Sequence, residues 1–226
     1  MRVLCISDIH SNFAAFDPAK MPDAEICVVA GDITEYGHSG PRSGDLDSAR
    51  EWLAVLGERY PTFVIPGNHD IGVRNSDFSG IDGITGILGR RAECLGLSLF
   101  GVSLSPTYLF PRMARMFDFM TVDPDEESAA FDFDPVDIVV SHSPPLGYLD
   151  RLSDKDSQRF GPHIGSGCLL EYIERHQPKL VVCGHVHNDA GEATIGKTLV
   201  VNTAKRRTVV ESNDAGNGRG TIVFST

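Results

Sequence analysis

Five short apolar runs in this chain each end in side chains that bind cations. Asp8-Ile9-His10 follows Val3–Ser7, Gly31-Asp32 follows Ile26–Ala30, and Gly67-Asn68-His69-Asp70 follows Thr62–Pro66. Ser141-His142 closes Asp137–Ser141, and Gly184-His185-Val186-His187 closes Leu180–Gly184. The runs are continuous rather than alternating, which marks strands covered on both faces. Between the second and third lies Asp45–Tyr60, where Leu46, Ala49, Leu53 and Leu56 recur at spacings of three and four, the pattern of an amphipathic helix. Strand–helix–strand units of this kind imply parallel pairing with right-handed crossovers. In an open α/β sheet the carboxyl ends of the strands are where ligands bind. The runs therefore deliver carboxylate, amide and imidazole groups to one rim.

The rest of the chain is less regular. Leu99–Leu104 reads as a further strand, and the Gly- and Asp-rich stretch 71–97 as a loop with a short helix. Gly167–His176 predicts a helix ended by Pro178. Beyond His187, Glu192–Ile195, Thr198–Asn202, Thr208–Glu211 and Thr221–Phe224 predict strands, with turns at Gly196-Lys197 and over 214–218. Within 105–135, Met113, Met116, Phe117 and Met120 suggest a helical face used for packing, followed by the acidic run Asp123–Glu127. Neither a repeat nor a low-complexity linker interrupts the chain. A boundary anywhere between Asp8 and His187 would split the cation-binding set, so residues 1–226 are expected to form a single domain.

Composition narrows the partners. The formal net charge is −11, from 31 acidic and 20 basic residues, and the Lys and Arg are not clustered; a nucleic-acid polymer is disfavoured as partner. An acidic surface is compatible with an anionic substrate, because bound cations dominate the field near them. No stretch approaches the roughly 20 apolar residues of a membrane helix. The N-terminal run is too short, and too soon interrupted by Asp8, for a signal peptide. The five cysteines, at 5, 27, 94, 168 and 183, include no CxxC pair, and three sit inside apolar runs. A reduced, cytoplasmic protein is expected.

Asp, Asn and His without Cys suit Mn, Fe, Zn or Ni and disfavour a structural zinc site. Gly31, Gly67 and Gly184 each precede a candidate ligand, and glycine there is expected to supply backbone angles that a Cβ resists. Each block alone is weak: Asn68-His69-Asp70 can be a polar turn, and His185 and His187 a strand end facing water. The ordered set of five carries the reading.

That set resembles the calcineurin-like metallophosphoesterases, whose signature runs D-x-H, G-D, G-N-H-[D/E], H and G-H-x-H; the resemblance covers residues 1 to about 203. It implies an α/β fold, a four-layer α/β/β/α sandwich of two mixed β-sheets flanked by helices. It also implies two divalent metal ions. The first would take Asp8, His10, Asp32 and His187, the second Asp32, Asn68, His142 and His185, with Asp32 bridging. His69 would face the leaving group as the catalytic acid, polarised by Asp70; an imidazole near neutral pKa suits that task. The reaction implied is hydrolysis of a phosphate ester by in-line attack of a metal-bound hydroxide. Ser141–Gly147, with Gly167-Cys168, Pro178-Lys179-Leu180 and Gly184–His187, further resembles the metallophosphoesterase-domain group that includes cyclic-nucleotide phosphodiesterases. Residues 105–135 have no match in that group.

Pro144, Pro145, Leu146 and Tyr148, with few Lys or Arg nearby, suit a nucleoside or alkyl group better than a dianion. The expected substrate is a small phosphodiester, with cyclic nucleotides in the class. A phosphomonoesterase or protein phosphatase, a nuclease and a non-catalytic scaffold of the same fold are the alternatives. The intact ligand set and His69 argue against the scaffold. His163 and Arg74 are candidates for substrate contact, with solvation the competing reading for both. His176 reads as a helix C-terminal residue, and His38 has no assigned role.

Overall fold

In the computed structural model, which describes residues 1–35, 45–153, 160–213 and 221–225, the first half of the chain alternates strand and helix as expected. It runs β1 (Arg2–Ile6), β2 (Ile26–Ala30), α1 (Asp45–Arg59), β3 (Thr62–Ile65), β4 (Ile84–Gly86), β5 (Arg91–Cys94) and β6 (Leu97–Val102). Then come β7 (Ser105–Pro106), β8 (Met120–Thr121), α2 (Pro124–Ala130), β9 (Ile138–Ser141), β10 (Arg151–Ser153), β11 (Phe160–His163) and α3 (Gly167–His176). The chain closes with β12 (Leu180–Cys183), β13 (Gly191–Ile195), β14 (Thr198–Asn202), β15 (Arg207–Asn213) and β16 (Thr221–Ser225). His38 and the turn over 214–218 lie outside the described residues.

Two six-stranded sheets form, in the orders β16-β15-β1-β2-β3-β4 and β13-β14-β12-β9-β6-β5. Both are mixed: β1 pairs β2 in parallel but β15 antiparallel, and β12 pairs β9 and β14 in parallel while β13 runs against β14. The period of two along each strand divides its apolar residues between two layers. Val3, Val28, Ile65, Val140 and Val182 point into the layer between the sheets. Leu4, Val29 and Val64 point outward, against Trp52, Leu53 and Leu56 of α1. Val139, Val181 and Val200 point the other way, against Leu169, Tyr172 and Ile173 of α3. The continuous hydrophobic runs thus serve two layers at once, and the result is the expected α/β/β/α sandwich.

Helix ends follow their local chemistry. Ser166 caps α3 by accepting the Leu169 N–H, and Gln177 ends it in the left-handed conformation, short of Pro178. The acidic run precedes and opens α2: Asp123 is its N-cap, Pro124 its first residue, and Asp125, Glu126 and Glu127 sit where the helix dipole favours negative charge.

Two expectations need correction. Stretch 71–97 carries a single short helical turn, Asn75–Phe78, but also β4, beside β3, and β5, beside β6. Both are short edge strands, and one-sided burial leaves no long apolar run to read. Met113, Met116, Phe117 and Met120 do not form one helical face. A 3₁₀ turn spans Met113–Arg115, and Met120 enters β8, which pairs with β7.

Candidate metal centre

The ends of β1 and β2 are laced together beyond the last strand residues: Asp8 N–H donates to Gly31 O, His10 N–H to Asp32 O, and Ser11 N–H to Ile33 O. To turn there, Asp8 (φ 55°), His10 (φ 47°) and Asp32 (φ 52°) take the left-handed conformation, and His185 (φ 68°) does so after β12. Asp and His are among the non-glycine residues that tolerate it best, at a cost of order 1–3 kcal/mol each. Strain therefore falls on the candidate ligands themselves.

Glycine was expected to absorb it, and only Gly31 does (φ 94°). Gly67 and Gly184 have another purpose, close approach. A Cβ on Gly67 would stand 2.3 Å from Asp32 Oδ1, and one on Gly184 2.2 Å from Asp8 Oδ2.

The structure brings all seven candidate ligands into one cluster. In one half His187 Nε2 lies 2.8 Å from Asp8 Oδ1 and 3.2 Å from His10 Nε2. In the other, Asn68 Oδ1 is met by His142 Nε2 at 2.9 Å and His185 Nδ1 at 2.8 Å. Asp32 stands between them, its Oδ2 3.6 Å from His10 Nε2 and 3.4 Å from His142 Nε2. Its other oxygen accepts the His69 N–H at 2.8 Å. His142 Nδ1 faces the Ala30 carbonyl at 2.8 Å; a carbonyl only accepts, so Nδ1 carries the proton and Nε2 is turned to the cluster. Asp8-His10-His187 and Asp8-Asp32-His142 could each hold a cation. Lone-pair donors facing one another with carboxylates among them are what a cation stabilises, so the residues fit divalent metal.

These groups set each other's protonation. Burial opposes the charge on Asp8 and Asp32, but His10 and His187 hold the first well below the usual carboxylate range, and His142 lowers the second. Burial works against a charged His142 too, yet Asp32 outweighs it and raises that imidazole to about 9. His185 is pushed down to about 4 by burial and by His142 beside it.

Asp70 does not polarise His69. Its oxygens accept the Ile33, Thr34 and Gly67 backbone N–H groups and the Thr34 hydroxyl, which turns the carboxylate into the floor of the site. His69 Nδ1 instead meets Glu35 Oε1 at 3.1 Å, and its ring lies against Phe117, centroids 4.7 Å apart. Glu35 Oε2 is also 2.5 Å from His10 Nδ1, though out of line for a hydrogen bond. Sequence reasoning passed over Glu35; its only signal was a carboxylate three residues beyond Asp32.

The two minor candidates part company. Arg74 is spent on Asp118, 2.9 Å away, and lies over the Phe119 ring. His163 sits in β11, paired with the buried Asp150, and lines a cavity of about 650 Å³ that also reaches His185. Leu146 lines that cavity as well, whereas Pro144 and Pro145 are buried and do not line it. Among the described residues no helix is long and apolar enough to cross a membrane.

Known proteins resemble this chain in sequence and in fold. A UPF0046 protein of Caenorhabditis elegans is 25% identical over 226 residues, covering 91% of this chain and 70% of its own. Metallophosphoesterase domain-containing protein 1 of Homo sapiens is 28% identical over 235 residues; the match covers 90% of this chain but only 65% of that protein. A crystal structure aligns over 100% of this chain and 99% of its own with a TM-score of 0.65 at 18% identity. The protein TT1561 of Thermus thermophilus aligns over 90% and 88% with a TM-score of 0.56 at 14% identity. Both structural likenesses bear on the fold alone. The family model for calcineurin-like phosphoesterases matches residues 1–189, from β1 through the Gly184–His187 block. The chain belongs to the calcineurin-like phosphoesterase family.

Proposed function

We propose that this protein is a two-metal phosphoesterase that prefers phosphodiesters, with cyclic nucleotides in its substrate class. The observation that carries the reading is Asp32 Oδ2, within 3.6 Å of His10 and 3.4 Å of His142, the position a bridging carboxylate needs. Asp8, His10 and His187 would complete one metal site, and Asn68, His142 and His185 the other. When bound, two divalent cations would make water nucleophilic at neutral pH and neutralise charge on the phosphoryl oxygens.

The chain's own residues do the rest. His69 hands a proton to the leaving oxygen from Nε2, while Glu35 accepts its Nδ1–H and fixes the ring. Phe117 covers one side of that ring. Asp70 ties the loops after β2 and β3 together, so that Asp32 and Asn68 keep their spacing. A monoester dianion calls for cationic clamps, but Arg74 is engaged elsewhere and the described lining of the cavity at His185 includes no Lys or Arg. A diester, with a single charge and a second organic substituent, fits better.

Comparing kcat/KM for bis(p-nitrophenyl) phosphate and p-nitrophenyl phosphate with Mn present, then for 2′,3′- and 3′,5′-cyclic nucleotides, tests the preference. Diesters should be turned over faster. A clear preference for the monoester without cyclic-nucleotide hydrolysis supports a phosphatase instead.

A further inference from the structure

One wall of the cavity beside His185 comes from Pro106–Phe110, Met113 and Met120, within the stretch 105–135 that has no counterpart in the phosphodiesterase group. Tyr108, Leu109, Phe110, Met113, Leu146 and Leu152 supply its apolar wall, and at about 650 Å³ it lies within the roughly 300–1,000 Å³ of ligand pockets. Its mouth is apolar as well: Leu109 is 56% exposed and Phe110 45%. Several polar groups on the wall are already paired. Thr107 Oγ1 donates to Phe110 O at 2.9 Å, the Tyr108 hydroxyl donates to Glu127, and His163 pairs with Asp150. Glu127 is held further by the Ser166 hydroxyl and the Cys168 N–H, which fixes α2 against the start of α3. The charged groups on the wall are carboxylates, Glu127 and the more exposed Glu171.

The geometry points to a subsite for one ester substituent, and to its chemistry: an uncharged apolar group, an alkyl chain or a plain aromatic ring. This rests on the phosphodiesterase reading. With phosphorus held among the candidate ligands, a substituent directed past His185 enters the cavity. An anionic group there would meet Glu171 and Glu127 with no Lys or Arg in the described lining to compensate. A nucleobase would bury donors and acceptors against a largely apolar wall whose Thr107 and Tyr108 hydroxyls are already engaged, and such groups are costly when left unpaired. An alkyl chain loses nothing of the kind. Amphiphilic or alkyl phosphodiesters should therefore be better substrates than cyclic nucleotides.

The test uses the full-length, Mn-loaded protein and p-nitrophenyl alkyl phosphates with methyl, butyl, hexyl and octyl substituents, all below their micelle concentrations. All release the same phenol, so only the substituent varies. The expected kcat/KM rises about threefold to fourfold per methylene over the first several carbons, the worth of a fully buried CH₂. The hexyl ester should exceed 3′,5′-cyclic AMP. Leu109→Ser combined with Phe110→Ser, both exposed enough for the fold not to depend on them, should cut the hexyl-to-methyl ratio at least tenfold. Turnover with a flat chain-length profile, an unchanged ratio in the double variant, or a preference for the cyclic nucleotide would overturn the subsite and leave the phosphodiesterase reading standing. Absence of turnover with every ester would overturn both.

Discussion

Glu35 Oε1 lies 3.1 Å from Nδ1 of His69, while the carboxylate next to His69 in sequence, Asp70, faces the Ile33, Thr34 and Gly67 backbone. The group placed to orient the proposed acid thus comes from the loop after β2. Glu35→Gln should keep the metals yet slow an alkyl ester about 10- to 100-fold, the usual worth of a group that orients a functional side chain. His69→Ala should cost about 10²–10⁴ on the same ester. Nitrophenyl esters, whose leaving groups need little protonation, should suffer less in both variants. Equal losses on good and poor leaving groups would contradict the role.

Asp70→Asn is expected to act through the fold. Its amide would turn a donor toward backbone N–H groups that now donate to a carboxylate, which costs about 1–3 kcal/mol for each unsatisfied group. Thermal melting of the chelator-treated protein should shift down accordingly. A variant that melts normally yet loses selectively on poor leaving groups would restore Asp70 as the orienting residue.

The layers and the cluster were legible in the sequence because both have a regular physical basis. Strands such as Ile26–Ala30 are buried on both faces, so they read as unbroken apolar runs, and their carboxyl ends carry Asp32 and its counterparts. The Asp70 role misled because neighbours in a tight turn diverge: the His69 side chain points to Glu35 and that of Asp70 to the floor. Glu35 had no periodicity to mark it. The wall over 105–121 was illegible for a related reason, since the two-residue strands Ser105–Pro106 and Met120–Thr121 and a single 3₁₀ turn leave no repeat in the sequence.

Protons should be released when metal enters. His142 is raised from 6.5 to about 9, so in chelator-treated protein at pH 7 it carries a proton that Nε2 must lose in order to ligate. His185, lowered to about 4, arrives neutral. A raised folded-state pKa stabilises below the unfolded value, so this contribution to the chelated fold is complete below 6.5 and is lost as pH rises through about 9. Calorimetric titration with Mn in buffers of different ionisation enthalpy should show more protons released at pH 7 than at pH 10. Equal release at both would contradict the assignment.

Gly67→Ala tests whether close approach, rather than backbone angle, is what position 67 requires. Its Cβ would lie 2.3 Å from Asp32 Oδ1 and 2.7 Å from His142 Cε1, too near for either to stay in place. Metal affinity measured by competition with a chelating dye should fall at least tenfold, and turnover with it. Affinity close to wild type would show that the loop has room to yield.

Metal content, measured by mass spectrometry on purified Mn-loaded protein and on Asp32→Ala alongside bis(p-nitrophenyl) phosphate turnover, tests the account most directly. Asp32 is the residue shared between the two halves of the cluster. Two metals per chain are expected in the wild type, with most of the metal and essentially all turnover lost in the variant. A full pair of metals with normal turnover in Asp32→Ala would contradict the two-metal centre.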